Sequence, residues 1–270
     1  MSQTAKADLF HSLHQGPEVL ILANAWDAAS AAVVADAGAK AVATSSAAVA
    51  WAHGKADGDI LPVATTCAMV AEIVQATDLP VSTDFEGGFT DDLDQLSDNI
   101  AQVIAAGAVG INFEDGARAP ELHARKIAAA RAAAEKAGVK LFINARTDVY
   151  LRGLAQGEAA EAETIRRGKL YVEAGASGFF APGASDPELI RRLAAAIPAP
   201  LNVMAWPGLP DAKALAGLGA RRLSAGTGTF RVAFAALNRA AAAFLASGDS
   251  NALMAAGDGA PSLQKRFSGG

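Results

Sequence analysis

The sequence predicts an α/β fold, a closed (β/α)8 TIM barrel, and three observations support this prediction. Short apolar runs typical of strands alternate with longer Ala-rich segments along nearly the whole chain. Several of these segments end in Gly directly before the next run, and Gly is the residue that most readily closes a helix in the left-handed conformation. The length of 270 residues accommodates eight such units and lies in the usual range of a barrel.

Eight apolar runs are predicted to be strands. In chain order they are VLILA (19–23), KAVATS (40–45), LPVSTD (79–84), AVGINFE (108–114), KLFINAR (140–146), SGFFA (177–181), PLNVMA (200–205) and RRLSAG (221–226). They are interpreted as apolar on both faces, as expected of parallel strands that helices cover. A doubly wound sheet is the alternative, but it requires a Gly-rich turn after its first strand, where this chain has ANAWDAAS. The barrel is therefore favoured.

Helices are predicted between these strands, for example over 91–107, 121–138 and 188–197, where apolar residues recur at helical spacing. Residues 228–247 have the pattern of the last barrel helix. No Pro/Ser-rich linker divides the chain, so residues 1–270 are predicted to form one domain, with 248–270 as a C-terminal extension. This extension is expected to be an extra helix, a subunit contact or a frayed tail.

Composition excludes several classes of function. The formal net charge of −5 argues against a general attraction to nucleic acid or to an anionic membrane. No run approaches ~18 consecutive apolar residues, so no membrane span is expected. The N-terminus lacks the apolar core of a signal peptide, and the single Cys67 cannot form an internal disulfide and is predicted to be buried. A cytoplasmic enzyme or binding protein is expected.

Polar side chains cluster at the carboxyl ends of the predicted strands, where barrel enzymes carry their active sites. The carboxylates in this group are Asp84, Glu86 and Glu114, with Asp57 or Asp59 on a loop. Carboxylates that share a partly dry pocket repel one another unless a cation neutralises them. Oxygen ligands without nearby His or Cys favour Mg2+, or Mn2+, over Zn2+. The structural alternative is that Asp84 and Glu114 are helix caps or ion-pair partners of Arg146.

Basic and hydroxyl groups accompany these carboxylates. The guanidinium of Arg146, in NARTD, follows a predicted strand and could clamp a carboxylate or stabilise an oxyanion. An ion pair of Arg146 with Asp148 or Glu114 is the alternative, and both roles can coexist. Ser45 and Ser46 offer hydroxyl and N–H donors at a helix start, where a carboxylate can bind, although Ser is also common at helix caps.

The four histidines show no metal-ligand spacing. His11 and His14, in the leading segment, and His123, in a predicted helix, are expected at the surface. His53, in WAHGKADGD, lies on a predicted active-site loop and is a candidate catalytic residue.

With these residues assembled, the chain resembles the isocitrate lyase/phosphoenolpyruvate mutase superfamily across roughly residues 18–240. The matching stretches, in the family's order, are NAWDAASA (24–31), SS…HGKADGD (45–59), TDFEGGF (83–89), GINFEDG (110–116), INARTD (143–148) and NVMAWPG (202–208). The resemblance implies a Mg2+-dependent barrel that acts on 2-oxo or 2-hydroxy acids at a C–C or C–P bond. It also implies a homodimer or homotetramer in which the final helix is often exchanged between subunits.

The resemblance further implies a role for each matching residue. Asp84 is the implied direct metal ligand, and Glu86, Glu114 and Asp57 are the implied water-mediated or supporting ligands. The implied sets are Asp84, Glu86 and Glu114 for the metal, Arg146, Glu114 and Asp57 for catalysis, and Trp26, Ser45, Ser46, Ala47 and Asn202 for substrate binding.

The chain departs from the family's pattern at three places. Asp84-Phe85-Glu86 replaces the usual Asp-x-Asp, residues 114–126 lack the lyases' Lys-Lys/Arg-Cys-Gly-His loop and look shortened, and Ala181-Pro182 replaces a Glu. We therefore expect a lyase that cleaves or decarboxylates a small 2-oxo acid through a metal-stabilised enolate. The alternatives are a C–P bond enzyme (a phosphonopyruvate hydrolase or a mutase) and a protein that binds a 2-oxo acid without turnover.

Overall fold

The computed structural model describes residues 1–268, which contain nine parallel strands in one sheet, surrounded by helices. The strands are β1 (Leu20–Leu22), β2 (Asn24–Ala25), β3 (Val42–Thr44), β4 (Val81–Asp84), β5 (Gly110–Glu114), β6 (Phe142–Arg146), β7 (Gly178–Phe180), β8 (Leu201–Met204) and β9 (Ala220–Ser224). The helices are α1 (Gln3–Leu13), α2 (Ala28–Asp36), α3 (Ser46–Ala52), α4 (Val63–Ala76), α5 (Leu93–Ala105), α6 (Pro120–Lys136), α7 (Gly157–Glu173), α8 (Pro187–Ala196), α9 (Ala212–Leu218), α10 (Gly228–Ser247), α11 (Ser250–Ala256) and α12 (Leu263–Phe267).

The sheet closes on itself through its first strand. β1 pairs with β9, β2 pairs with β3, and the other strands pair in chain order from β3 to β9. Because only Ala23 separates β1 from β2, the two are one interrupted strand that joins both edges of the sheet. The predicted (β/α)8 barrel is confirmed, and each of the eight predicted runs contains or overlaps an observed strand.

Helix α1 covers the amino ends of the central strands. The Phe10 ring packs against Gly110, the first residue of β5, where an added Cβ would lie 2.7 Å from the ring. The buried His14 ring stacks on Phe142 with a centroid distance of 4.0 Å, and its Nδ1 lies 2.7 Å from the Phe10 carbonyl oxygen. The prediction that His14 is at the surface is wrong, because α1 turns this face towards the barrel.

Two further expectations about burial need correction. His123 is fully buried behind β5, where its Nε2 lies 3.1 Å from the Phe113 carbonyl oxygen and its ring meets Tyr171 edge-on. It was predicted at the surface because its neighbours in the sequence are polar, but it lies on the face of α6 that packs on the sheet. Cys67 is half-buried rather than buried, and it packs against the edge of the core.

The interior of the barrel is polar, contrary to the prediction that the strands are apolar on both faces. Arg222 of β9 is fully buried, and its Nη2 donates to Asn112 Oδ1 of β5 at 3.1 Å. Because three strands separate β9 from β5 in the sheet, this bond crosses the barrel interior. Asn144 donates to the same oxygen at 2.9 Å. Polar side chains, the large Arg222 among them, therefore fill the space beneath the carboxyl ends of the strands.

The C-terminal helices lie outside this core. α10 spans the predicted residues 228–247, and Phe230 is its one buried residue. In the extension, residues 248–268 contain the short helices α11 and α12, whereas Gly269 and Gly270 lie outside the described residues. None of the helices within residues 1–268 has both the length and the hydropathy that crossing a bilayer requires.

Candidate active site

The carboxyl ends of β4, β5 and β6 bring together the main predicted site residues. Asp84 ends β4, Glu114 ends β5 and Arg146 ends β6. Glu114 and Arg146 are direct neighbours in the strand register, while Asp84 is paired with Asn112, two residues before Glu114. Parallel strands in a barrel end on one face, so these three side chains occupy one side of its mouth.

Arg146 is held between two carboxylates. Its Nη1 lies 2.7 Å from Glu114 Oε2, and its Nε and Nη2 donate to Asp148 at 2.7 and 3.2 Å. Burial alone lowers the pKa of Arg146, but Glu114, Asp148 and Asp84 outweigh it, so the pKa lies above its ordinary value. The ion-pair alternative foreseen for Arg146 is thus present, with both partners that the sequence suggested.

Glu114 is under opposing influences. Burial raises its pKa to about 8, Arg146 acts in the opposite direction, and Asp148, Asp84 and Asp57 add to the rise. The carboxylates at this end of the barrel therefore repel one another even though the Arg146 guanidinium lies among them.

Asp84 has one oxygen in a network and one without a partner. Its Oδ2 accepts from the Ser46 backbone N–H at 3.1 Å and from Ser46 Oγ at 3.0 Å, and its own N–H donates to Thr44 Oγ1 at 2.9 Å. Its Oδ1 is buried and has no hydrogen-bond partner within residues 1–268. A buried carboxylate oxygen without a donor is costly unless a cation or water binds it.

Glu86 and the loop after α3 lie beside Asp84. The Asp59 N–H donates to Glu86 Oε2, and Asp59 Oδ1 accepts from the Gly87 N–H at 3.1 Å. Both Glu86 and Asp59 have a positive φ, of 49° and 56°. Such conformations are unfavourable for these residues and occur where the surroundings impose them. Burial raises the pKa of Glu86 to about 7, with Asp84, Asp59 and Asp57 adding to the rise and the Asp59 N–H opposing it.

Asp57 lies on the same loop, and the residue is exposed. Partial burial of its carboxyl group and the charge of Asp84 raise its pKa, while Ser46 and Arg146 lower it. The side chain is thus close enough to Asp84, Ser46 and Arg146 to be affected by each of them. The structure brings the four predicted carboxylates, Asp57, Asp84, Glu86 and Glu114, into one electrostatic group.

The donor set fits a hard cation that keeps much of its water. Within the described part of the chain, no three His, Cys, Asp or Glu side chains form a preassembled metal cage. Mg2+ does not need one, because it is commonly held by one or two carboxylates and several waters. The Oδ1 of Asp84 is a buried carboxylate oxygen without a hydrogen-bond donor among residues 1–268, and the neighbouring carboxylates supply further charge. The residues present therefore fit Mg2+ held mainly by Asp84.

The predicted substrate residues do not all lie at the mouth. Ser45, Ser46 and Ala47 are buried at the start of α3, next to Asp84. Trp26 is half-buried and packs edge-on against Phe230 of α10 at 5.0 Å. Asn202 is fully buried, and its Oδ1 accepts from Ser224 Oγ at 3.2 Å. Asn202 thus belongs to the polar interior with Arg222, its neighbour in register.

His53 is exposed at the end of α3, and its Nδ1 lies 3.0 Å from the Val49 carbonyl oxygen, one turn back. Among residues 1–268, His53 forms no hydrogen bond or salt bridge with the carboxylates of the site, so the structure gives no support to its candidate catalytic role.

Several residues that shape this end of the barrel were not assigned a role from the sequence. Asp115 is fully buried and accepts from Thr147, Tyr171 and Arg167, each at 2.7 Å, so it ties the loops after β5 and β6 to α7. The stretch EDGARAP contains a second such residue, Arg118, which binds Asp59 and Asp91. Its sequence signal, a lone Arg in a short loop, is too common to identify it in advance.

Comparisons with known proteins agree with this architecture. The family model for phosphoenolpyruvate phosphomutase matches residues 10–245. An uncharacterized protein of Mycobacterium tuberculosis is 35% identical over 218 residues, 81% of each chain. The oxaloacetate decarboxylase of Pseudomonas fluorescens is 27% identical over 87% of this chain and 83% of its own. A solved Burkholderia cenocepacia structure with a provisional phosphonomutase assignment is 44% identical, with a TM-score of 0.84 over 87% of this chain and 98% of its own.

Proposed function

This chain belongs to the phosphoenolpyruvate phosphomutase family, and we propose that it is a Mg2+-dependent lyase that cleaves or decarboxylates a small 2-oxo or 2-hydroxy acid. One observation carries the proposal. The unpartnered Oδ1 of Asp84 lies among Asp57, Glu86 and Glu114, beside Arg146, at the catalytic end of the barrel. By contrast, both oxygens of the nearby buried carboxylates Asp115 and Asp148 accept hydrogen bonds from the protein.

Different residues would bind the carboxylate of a 2-oxo acid and stabilise the charge that develops on it. When bound, Mg2+ withdraws electron density from the substrate oxygens. Ser46 donates its N–H and hydroxyl to Asp84, so the donors at the start of α3 that would bind the carboxylate of the substrate are the Ser45 hydroxyl and the Ala47 N–H. As the C–C bond beta to the ketone breaks, its electron pair moves onto the 2-oxo group. The positive charge of Arg146, fixed by Glu114 and Asp148, stabilises the resulting enolate, and a proton from water completes the product.

C–P bond chemistry is the second candidate, and the 44% identical structure with a provisional phosphonomutase assignment favours it. A mutase must keep water away from its reactive intermediate. Here only residues 115–119 connect β5 to α6, which leaves little chain to cover the mouth. Hydrolysis of a phosphonate is therefore a better match than rearrangement.

A homodimer or homotetramer is part of the proposal. α10 exposes a row of large apolar side chains, among them Val232, Leu237 and Leu245. An apolar groove of about 610 Å³ runs between α2 and α10. Exposed apolar surface of this extent commonly marks a protein interface. Light scattering of the purified protein should give a mass of two or four chains, and a monomer at micromolar concentration would overturn this part.

The test of the activity is a turnover screen with oxaloacetate, other 2-oxo and 2-hydroxy acids, and phosphonopyruvate, in Mg2+ and in EDTA. We expect pyruvate or an analogous product in Mg2+ only, and its loss in Asp84→Ala. Asp98→Ala, which removes an exposed carboxylate from α5, is the matched control and should behave as wild type. Phosphate release from phosphonopyruvate alone would favour C–P chemistry. If a 2-oxo acid binds only in the presence of Mg2+ but is not turned over, the protein binds the acid without catalysis, and the lyase proposal is overturned.

A further inference from the structure

Two arginine side chains approach the same point at the mouth of the barrel. Gly116, two residues beyond the end of β5, has a φ of +56° and no side chain. A Cβ placed on it would lie 3.6 Å from Arg118 Nη1 and 3.9 Å from Arg152 Nη2. Both guanidinium groups therefore lie within 4 Å of one position beside Gly116.

Each guanidinium is held by carboxylates through its other nitrogens. Arg118 donates through Nε to Asp91 at 2.7 Å and through Nη2 to Asp59 at 3.0 Å. Arg152 donates through Nε to Asp148 at 3.0 Å. The nitrogens that approach Gly116, Arg118 Nη1 and Arg152 Nη2, have no hydrogen-bond partner among residues 1–268. These nitrogens therefore have N–H groups that can donate, and an anion placed between them would accept from both guanidinium groups.

This position is next to the proposed active site. Arg152 shares the Asp148 carboxylate with Arg146, and Gly116 follows Glu114 by two residues. Arg118 covers Gly87, directly after Glu86, where an added Cβ would lie 2.8 Å from the guanidinium carbon. One arginine is thus linked to the Arg146 side of the site and the other to the Glu86 side.

We propose that Arg118 and Arg152 form a subsite for the second anionic group of the substrate, a carboxylate or a phosphonate. This inference rests on the proposed function and specifies the class of substrate. In this proposal the start of α3 binds the first carboxylate of a 2-oxo acid, and the two guanidinium groups bind the anionic group at its other end. The natural substrate is then a dianion, and a 2-oxo acid with an apolar end is a poor ligand.

The test compares ligands that differ only in that second group. Malate, 2-hydroxybutyrate and 3-phosphonolactate share a 2-hydroxy carboxylate and end in a carboxylate, a methyl group and a phosphonate. Their affinities for the full chain in Mg2+ are measured by titration calorimetry, for wild type, Arg152→Met and Arg152→Lys. Arg152 is the cleaner position, because it is exposed and Arg146 still binds Asp148 when it is changed. Arg191→Met, which removes an exposed arginine of α8, is the matched control.

We expect wild type and Arg191→Met to bind at least one dianion about tenfold more tightly than 2-hydroxybutyrate, as a charge-assisted contact allows. Arg152→Met should lose most of this preference while binding 2-hydroxybutyrate as before, and Arg152→Lys should recover part of it. Malate favoured over 3-phosphonolactate identifies a carboxylate, and the reverse a phosphonate. Equal binding of all three ligands by wild type overturns the subsite but leaves the proposed function intact. Absence of metal-dependent binding of any ligand overturns both.

Discussion

The two ends of the barrel both bury titratable side chains, but they stabilise them in opposite ways. At the amino end, the His14 ring is stacked on Phe142 beneath α1, and burial, together with Arg222, lowers its pKa to about 3, so it stays neutral. At the carboxyl end, Glu114, Arg146 and Asp148 form ion pairs, and Asp84 keeps an unpartnered oxygen. The amino end therefore contributes stability, whereas the carboxyl end keeps charged groups that can bind a ligand.

Replacing Arg146 should have the largest effect, because it breaks the ion pairs on which the carboxyl end depends. Arg146→Met leaves the buried carboxylates of Glu114 and Asp148 without their shared cation. Breaking a buried pair in this way costs about 3–5 kcal/mol, and turnover should be lost as well. Urea denaturation measures the first effect. Arg166→Met, whose ion pairs are exposed, should cost at most about 1 kcal/mol. An equal loss of unfolding free energy in the two variants would show that the buried Arg146 ion pairs stabilise the protein no more than exposed ones do.

The amino end should respond to a change in packing rather than in charge. Phe10→Ala removes a fully buried ring that fills the space over Gly110, so the free energy of unfolding should fall by about 3 kcal/mol. The KM and kcat of the folded protein should not change, since α1 lies at the opposite end from the proposed site. Phe267→Ala, on an exposed ring of α12, should be nearly neutral. A changed KM in Phe10→Ala would contradict the division between the ends.

Acid should destabilise the protein through the buried histidines. Burial lowers the pKa of both His14 and His123 to about 3, against 6.5 when unfolded. Between these values the unfolded chain binds more protons, so stability is full above pH 6.5 and falls as the pH drops through 6.5 towards 3. Each histidine should cost about 1–2 kcal/mol by pH 5.

The measurement is the free energy of unfolding at pH 7 and pH 5 for wild type and His14→Phe. The variant should lose less stability on acidification, because one of the two buried sites no longer takes up a proton in the unfolded state. His53→Phe, which changes an exposed histidine, serves as the control and should follow wild type. The same pH dependence in all three proteins would show that His14 does not contribute to it.

The site residues at the carboxyl end of the barrel could be predicted from the sequence, but the buried residues at the amino end could not. Carboxyl ends of strands are recognisable, so Asp84, Glu114 and Arg146 were found together, and even the partners of Arg146 were foreseen. The burial of His14 was missed because α1 has a weak apolar pattern and is buried through tertiary contacts. Arg222 was missed for a different reason. A charged residue in a strand is ordinarily placed outside, and only the closed barrel shows that it crosses the interior to Asn112.

The contribution of Asp57 could not be predicted from residue type alone. Asp57 and Asp59 are two residues apart on one loop, and the sequence left open which of them joins the carboxylate group. In the structure Asp59 is used to fix the loop, through Glu86, Gly87 and Arg118, while Asp57 is left to approach Asp84. Asp59 also has a positive φ of 56°, which the residue type alone does not identify, because most Asp residues have a negative φ.

The smallest effect is expected where charge lies at the rim of the carboxyl end. Arg118 and its partner Asp59 are each about a quarter exposed, and its other partner, Asp91, is half exposed and keeps Lys126 at 2.7 Å. Arg118→Met should therefore cost at most about 1 kcal/mol of unfolding free energy. At 1 M NaCl, where screening acts over roughly 3 Å, the difference from wild type should nearly vanish.

Salt distinguishes this rim from the buried pairs below it. The deficit of Arg146→Met should persist at 1 M NaCl, because the Glu114 and Arg146 side chains are only 12% and 13% exposed and Asp148 is fully buried. Arg118→Lys should recover part of the loss at low salt, since it restores the charge without the two-carboxylate geometry. If the Arg118→Met deficit is also insensitive to salt, then Arg118 acts through its packing on Gly87. The rim would then be a packed element like the amino end, rather than a screened electrostatic one.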